Sequence, residues 1–300
     1  MKWPERVTIT EVGPRDGLQN EAAPIALEQK IQLVNRLSAT GLSRIEAASF
    51  VSPKAIPQMA NAVELMARIR RRPSVTYIGL VPNERGARDA IAAGVDEVSV
   101  VVSASESHNR SNVNRSVAES LEAVRGIAAL CRDAGIPWAG YVATSFGCPY
   151  EGAVQPAAVI RVALAYAESG AYAVALGDTI GVGDPAQVYE LVTRVSAEVA
   201  PLPVRLHLHD TYGRALANTV AAMQAGATQF DGSVGGLGGC PYAPGASGNV
   251  ATEDMVSMLE KMGINTGVDL EKLLEAARFA QQIVGRRLDG KLLRATAGQG

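Results

Sequence analysis

The sequence predicts an α/β fold, a (β/α)8 TIM barrel with an extra C-terminal helical segment. Three observations predict it. Short β-rich runs alternate with longer segments of helical periodicity, and eight such units fit in 300 residues, an ordinary length for this barrel. Several of the helical segments end at a glycine just before the next strand, as in "AAGVDEV" and "QAGATQF", where a left-handed residue ends a helix. The competing open doubly wound sheet shows a phosphate-binding turn after its first strand, and here the first strand is followed by "GPRDGLQNE".

In chain order the expected strands are "VTITEV" (7–12), "RIEAASF" (44–50), "VTYIGLV" (75–81), "VDEVSVVV" (95–102), "WAGYVAT" (138–144), "AYAVAL" (171–176), "VRLHLH" (204–209) and "ATQFDGSV" (227–234). Each is four to eight residues, rich in β-branched or aromatic side chains and bounded by turn residues. The first connecting helix is expected over 26–41, where Leu27, Ile31, Val34 and Leu37 recur near a 3.6-residue spacing. The chain reads as one catalytic domain over 1–300, with a helical extension from about 265 and a long helix over 270–288. That extra helix is expected to pack on the barrel or against a second copy in a homodimer.

Bulk properties exclude several function classes. Hydrophobic residues are 47% and charged residues 19%, which fits a large globular core. The net charge of −2 gives no electrostatic footprint for nucleic acid or an anionic membrane. No apolar run approaches the roughly 20 residues of a membrane span, and "MKWPERVTIT" has no apolar core of a secretory signal. Cys131, Cys148 and Cys240 are widely spaced with no C-x-x-C pair, as expected in a reducing cytoplasm.

Only three histidines occur, and two of them, His207 and His209, stand one residue apart in "HLHD". Side chains two apart on a strand share a face, and the C-terminal strand ends form the active face of a barrel. Two imidazoles there suit a divalent metal; the alternative is a pair of hydrogen-bonded core histidines. Asp210 points to the other face, which favours a supporting or helix-capping role. Oxygen ligands are expected from Asp16, after strand one, and Asn249, after strand eight. Their alternatives are a turn residue before Gly17 and a helix N-cap. Two imidazoles, a carboxylate and an amide oxygen make a fairly hard, open site, better suited to Mg²⁺ or Mn²⁺ than to structural zinc.

Other charged residues are expected on the same rim. Arg15 offers a rigid, permanently charged donor fork, suited to a carbonyl oxygen gaining negative charge. Glu46 lies on a buried strand and needs a partner, Arg15 or a metal-bound water. Glu253 stands four residues after Asn249, one helical turn on, and is expected to hold Asn249 or an arginine. "SVGGLGGCPYAPGASGN" (233–249) places Cys240 on a glycine-rich loop, where it can move a proton or help close the site; the alternative is a passive small hydrophobe in a turn that needs positive φ.

"EVGPRDGLQNE", "EAASFVSPK", "GCPYEG", "LGDTIGVG", "HLHDTYGRALANT" and "GLGGCPYAPGASGNVATEDMV" together resemble the hydroxymethylglutaryl-CoA lyase family, one branch of the metal-dependent Claisen and aldol barrels. The motifs run from about residue 11 to about 258. The resemblance implies Mg²⁺ or Mn²⁺ held by Asp16, His207, His209 and Asn249. It implies Arg15 on the thioester carbonyl and acid–base work by Cys240. Glu46 and Glu253 would support the site, the base would be His207, Asp16 or a metal-bound hydroxide, and Ser49, Tyr141 and Asp178 would line the substrate pocket. The implied reaction cleaves 3-hydroxy-3-methylglutaryl-CoA to acetyl-CoA and acetoacetate, a step of leucine degradation and ketone-body formation, in a bacterial cytoplasm. Alternatives are a lyase for a related 3-hydroxyacyl-CoA such as citramalyl-CoA, and a condensing synthase of the same superfamily. The synthases lack the cysteine block. A barrel with a purely structural metal is the non-enzymatic alternative, and the oxygen-rich open ligand set speaks against it. Mammalian members carry Lys, Arg and Ser where this chain has Ala22, Ala139 and Ala175. Those positions, and the 105–116 segment with His108 and Arg110, are expected near the rim, where they would tune acyl specificity.

Overall fold

A computed structural model describes residues 3–239 and 248–297. Eight parallel strands close into a barrel in sequence order: β1 (Thr8–Glu11), β2 (Arg44–Ser49), β3 (Thr76–Leu80), β4 (Glu97–Ser103), β5 (Trp138–Ala143), β6 (Ala173–Asp178), β7 (Val204–Leu208) and β8 (Gln229–Gly232). β8 pairs back onto β1 through Thr10↔Asp231. All eight expected strands are present, within three residues at either end.

The helices are α1 (Leu27–Leu37), α2 (Ala62–Arg68), α3 (Glu84–Ala92), α4 (Glu106–Val113), α5 (Val117–Ala134), α6 (Pro156–Glu168), α7 (Pro185–Val199), α8 (Ala215–Gln224), α9 (Thr252–Lys261), α10 (Leu270–Val284) and α11 (Lys291–Thr296). Residues 106–113 of the 105–116 segment form α4, which starts where Ser105 accepts from His108 N. The extra helix expected over 270–288 is present as α10 but stops four residues early, and the separate short helix α11 lies beyond the expected range. Gly285 ends α10 with φ 68, the left-handed stop that glycine adopts without a Cβ penalty. No helix among the described residues is long and apolar enough to cross a membrane.

Strand alternation sorts the side chains. On β7, Val204, Leu206 and Leu208 join the main apolar core under the helices. Arg205 and His207 alternate with them and face the barrel axis. The axis is polar rather than greasy. At its floor Arg205 reaches across to Glu97 of β4 (3.1 Å) and to Gln229 (2.7 Å), and Glu97 also pairs with Arg44 of β2. Arg205 is 1% exposed, and a guanidinium there is tolerable only because carboxylate and amide partners meet it. A small separate apolar patch, Ala139, Tyr141, Ala173 and Ala175, lines the β5–β6 side of the interior. This layering leaves the C-terminal mouth free for chemistry.

Candidate metal centre at the barrel mouth

After β1 the chain makes a π-helical turn over Gly13–Gly17. The amides of Arg15, Asp16 and Gly17 all converge on the Val12 carbonyl (2.8–3.2 Å). Such wide single turns recur at functional sites, and this one puts two consecutive charged side chains over the barrel mouth. Glu11, which sequence reasoning overlooked, fixes the turn. Its fully buried carboxylate accepts from Gly13 N (2.7 Å), Val234 N (2.9 Å) and the Thr252 hydroxyl (2.7 Å). It thus joins the exits of β1 and β8. Burial pushes its pKa up to about 7 against the pull of those three donors.

Arg15 is 7% exposed. Its Nε and Nη2 grip Glu46 Oε2 at 2.6 and 2.5 Å, and its Nη1 meets Asp16 Oδ1 at 2.6 Å. The partner expected for Glu46 is therefore Arg15. Ser99 on β4 donates to the other Glu46 oxygen (2.5 Å). Burial raises the Glu46 carboxyl above its ordinary range while Arg15 and Ser99 pull it down; burial works against the Arg15 charge, and Glu46 and Asp16 outweigh it. The guanidinium is thus held rigidly, with its fork anchored from below.

His207 lies in register with Asp231 of β8, and its Nδ1 is 3.1 Å from Asp231 Oδ2. A carboxylate there accepts the hydrogen bond of an Nδ1–H, which keeps the proton on Nδ1 and leaves the Nε2 lone pair to a ligand. Asp231, 2% exposed, is a second residue that sequence reasoning missed. The available signal was an acid two residues beyond Gln229 on a strand, a buried-acid pattern like that of Glu46. His209 lies one residue past the end of β7. It is held by an antiparallel bridge to Asn249, with Val250 N donating to Leu208 O (3.0 Å) and Asp210 N to Gly248 O (2.9 Å). Asn249 is not a helix N-cap: α9 starts at Thr252, with Ala251 in that place. Its Nδ2 donates to Asp16 Oδ2 (2.7 Å) and Leu237 O (3.1 Å). Gly238, at φ +124, passes so close that a Cβ would sit 2.7 Å from that amide.

Among the described residues, Asp16, His207 and His209 form the one group of three whose ligand atoms all lie within 4.8 Å of one another. The two imidazoles stand 5.3 Å apart by centroid, and His207 Nε2 is 3.9 Å from Asp16 Oδ2. His209 Nδ1 is buried with no hydrogen-bond partner. Burial and the neighbouring His207 hold its pKa down at about 4, so it is a neutral imidazole at pH 7. Burial also works against a charged His207, but Asp231 and Asp16 outweigh it and raise its pKa. Burial likewise opposes the Asp16 charge, and Arg15 and both histidines outweigh it and lower its pKa. A neutral imidazole, a second imidazole oriented by a carboxylate, an ionised carboxylate and an adjacent amide fit a divalent cation of mixed N/O preference.

The remaining expected residues divide. Tyr141 meets His207 edge-on at 6.2 Å, and Ser49 ends β2 with a buried, unpartnered hydroxyl. Asp178 is fully buried, and Val182 N and Gly183 N donate to its two oxygens (3.0 Å each). Burial raises its pKa to about 6. Asp210 accepts from Ala215 N (2.9 Å) and so caps α8, as expected. Glu253 holds neither Asn249 nor an arginine. Asn249 precedes the helix rather than sharing its face, and Glu253 accepts instead from Gly235 N (2.9 Å) at the foot of the glycine loop. Cys240 lies outside the described residues. Ala139 and Ala175 are fully buried inside the barrel, not on the rim, whereas Ala22 is exposed on the loop after β1.

The HMGL-like family matches residues 6–280. The chain is 50% identical over 293 residues to the hydroxymethylglutaryl-CoA lyase YngG of Bacillus subtilis (strain 168), covering 98% of each. The crystal structure of hydroxymethylglutaryl-CoA lyase from Pseudomonas aeruginosa superposes with a TM-score of 0.97 at 45% identity, covering 100% of both chains. An HMG-CoA lyase from Acinetobacter baumannii in complex with coenzyme A and 3-methylmalate gives 0.93 at 41% identity, covering 98% of this chain and 95% of that one.

Proposed function

The chain belongs to the HMGL-like family, and from that premise we propose that its barrel mouth cleaves 3-hydroxy-3-methylglutaryl-CoA into acetyl-CoA and acetoacetate, as a carbon–carbon lyase. One observation carries the assignment of roles. Two adjacent residues of one turn pair with each other at 2.6 Å and then turn their remaining atoms to different partners: Asp16 to the two histidines, and Arg15 to Glu46. The site thus sets a cation position beside a fixed guanidinium.

Asp16, His207, His209 and Asn249 would hold a divalent cation, Mg²⁺ or Mn²⁺. When bound, that ion supplies the Lewis acidity that lowers the pKa of the substrate's C3 hydroxyl. Asp16 takes the hydroxyl proton; His207, with Nδ1 bonded to Asp231 and Nε2 facing Asp16 at 3.9 Å as a ligand, has no nitrogen free for it. The O–H electron pair becomes the C3 carbonyl of acetoacetate, and the C2–C3 pair passes to C2 and the thioester. Arg15 donates to the thioester oxygen, which carries the enolate charge, and Glu46 keeps the fork from swinging away. Cys240 returns a proton to C2 and completes acetyl-CoA; its position in the sequence between β8 and Asn249 supports that role. Glu11 and Glu253 act behind the site, holding the foot of that loop. Ser49, Tyr141 and Asp178 would line the substrate pocket; the edge-on contact of Tyr141 with His207 and the unpartnered Ser49 hydroxyl support that role.

The coenzyme A phosphates have a chemically suitable place beside the mouth. A cavity of about 1010 Å³ between α10 and α11 is lined by Arg278, Arg286, Arg287 and Arg294. Arg286 ties it to Glu21 on the loop after β1. We also assign one catalytic domain, a homodimer and a bacterial cytoplasmic setting within leucine degradation. Two buried cysteines without disulfide partners, Cys131 and Cys148, support the reducing compartment.

The test is acetyl-CoA release after chelator treatment and re-supply of Mg²⁺ or Mn²⁺, with hydroxymethylglutaryl-CoA and citramalyl-CoA in parallel. Metal-dependent release from the first substrate is expected. Release mainly from the second keeps the chemistry and overturns the substrate.

A further inference from the structure

The C-terminal strap crosses the barrel mouth and is tied to the segments that carry the expected ligands. After Gly285, Arg286 pairs with Glu21 beyond β1, and Gly290 N donates to Gly235 O beyond β8 (3.0 Å). Asp254 of α9 accepts from Lys291 N (2.8 Å) and Leu292 N (2.7 Å), capping α11 from another helix. Lys291 Nζ reaches Asp210 Oδ2 at 2.6 Å. A side chain at position 290 would collide with the buried Glu253 carboxylate, so the strap lies flat against α9 only because that residue is glycine.

Asp210 is the informative contact. It follows His209 directly. Its Oδ1 accepts from Ala215 N, its own N–H donates to Gly248 O beside Asn249, and its Oδ2 meets Lys291. One residue therefore fixes the β7 exit, the facing 248–250 segment and the strap. The Lys291 side chain is 58% exposed and that of Asp210 9%. A pair with one exposed partner contributes little to global stability, so its effect is local geometry.

We propose that Lys291 is a positioning residue for the metal centre, holding His209 and Asn249 in mutual register through Asp210. This rests on reading those two as ligands. Supporting groups around a metal site typically change its affinity about 10- to 100-fold when they hydrogen-bond a ligand directly. One residue further out, the change is about 3- to 10-fold on the same scale.

The experiment titrates the chelator-stripped full chain with Mn²⁺, followed by electron paramagnetic resonance, alongside urea unfolding and kcat and KM. Lys291→Ala and Lys291→Met are expected to weaken Mn²⁺ binding about 3- to 10-fold with the urea midpoint nearly unchanged. Lys291→Arg should restore it, and adding Asp210→Asn to Lys291→Ala should weaken it no further. Unaltered Mn²⁺ affinity in both Lys291→Ala and Lys291→Met overturns the positioning role. So does a weakening that simply follows a lowered urea midpoint. A wild-type chain that binds no Mn²⁺, or a His209→Ala variant that binds it like wild type, overturns the ligand reading itself and the proposal with it.

Discussion

Asp231 Oδ2 stands 3.1 Å from His207 Nδ1, on the strand next to the histidine and in register with it. The pair decides which imidazole nitrogen is free for a ligand. Asp231→Asn keeps the shape but removes the fixed acceptor, because an amide can turn its N–H₂ toward the ring. Mn²⁺ affinity is expected to fall about 10- to 100-fold, with kcat falling alongside. Isothermal titration with Mn²⁺ on the stripped protein checks this, and an unchanged affinity would show that Asp231 does not set the tautomer.

Arg15→Lys separates charge from geometry. Lysine keeps the positive charge but cannot grip Glu46 through two nitrogens while also facing Asp16. If Arg15 stabilises the enolate oxygen, kcat should fall about 10²- to 10³-fold, the usual cost of losing one such donor. Mn²⁺ affinity should change far less, since Asp16 and both histidines remain. Steady-state kinetics at saturating Mn²⁺ reads the first quantity and a metal titration the second; equal losses in both would move Arg15 from the chemistry to the metal site.

Local pattern carried the barrel, and distance in sequence hid much of the site. All eight strands are legible because each holds enough β-branched or apolar residues between turn signals, and the glycine stops mark the helix ends. His207, His209, Asp16 and Arg15 stand out as charged or titratable residues at strand exits. Asp231 and Glu11 are no less placed, but their significance lies in partners on other strands: Glu11 answers Val234 and Thr252, more than 220 residues away. Helical spacing from Asn249 sets Glu253 on the wrong face, because Asn249 sits before the helix begins. The family pattern points to Ala139 and Ala175 near the rim, yet strand alternation turns them inward, opposite the apolar positions that face the helices.

The barrel floor yields a stability prediction independent of activity. Arg205 and Glu97 meet at 3.1 Å with side chains 1% exposed. Removing one partner of a buried pair typically costs about 3–5 kcal/mol. In Arg205→Met, Arg44 still accompanies Glu97, so the loss should fall near the lower end, about 3 kcal/mol. Urea unfolding measures it. A loss within about 0.5 kcal/mol, the scale of an ordinary surface substitution, would mean that the floor relaxes around a lone Glu97–Arg44 pair.

Glu253 gives the pH dependence. Burial pushes its carboxyl from the ordinary 4.5 up to about 8, opposed by the hydrogen bond from Gly235 N. The folded chain therefore holds this proton more tightly than the unfolded chain does. The stability tied to it is complete below about 4.5 and drains away as pH rises toward about 8. Glu11, raised to about 7, pulls in the same direction, so a wild-type profile alone cannot separate the two. The difference between wild type and Glu253→Gln can. Glutamine resembles the protonated acid, keeps an acceptor for Gly235 N and has no charge to bury. The melting temperature of Glu253→Gln, set against wild type, should be lowest in relative terms near pH 4.5, rise through pH 5–8 and level off above that. A difference that stays flat across this range would mean that Glu253 titrates normally in the folded chain, with its unpartnered oxygen reached by water.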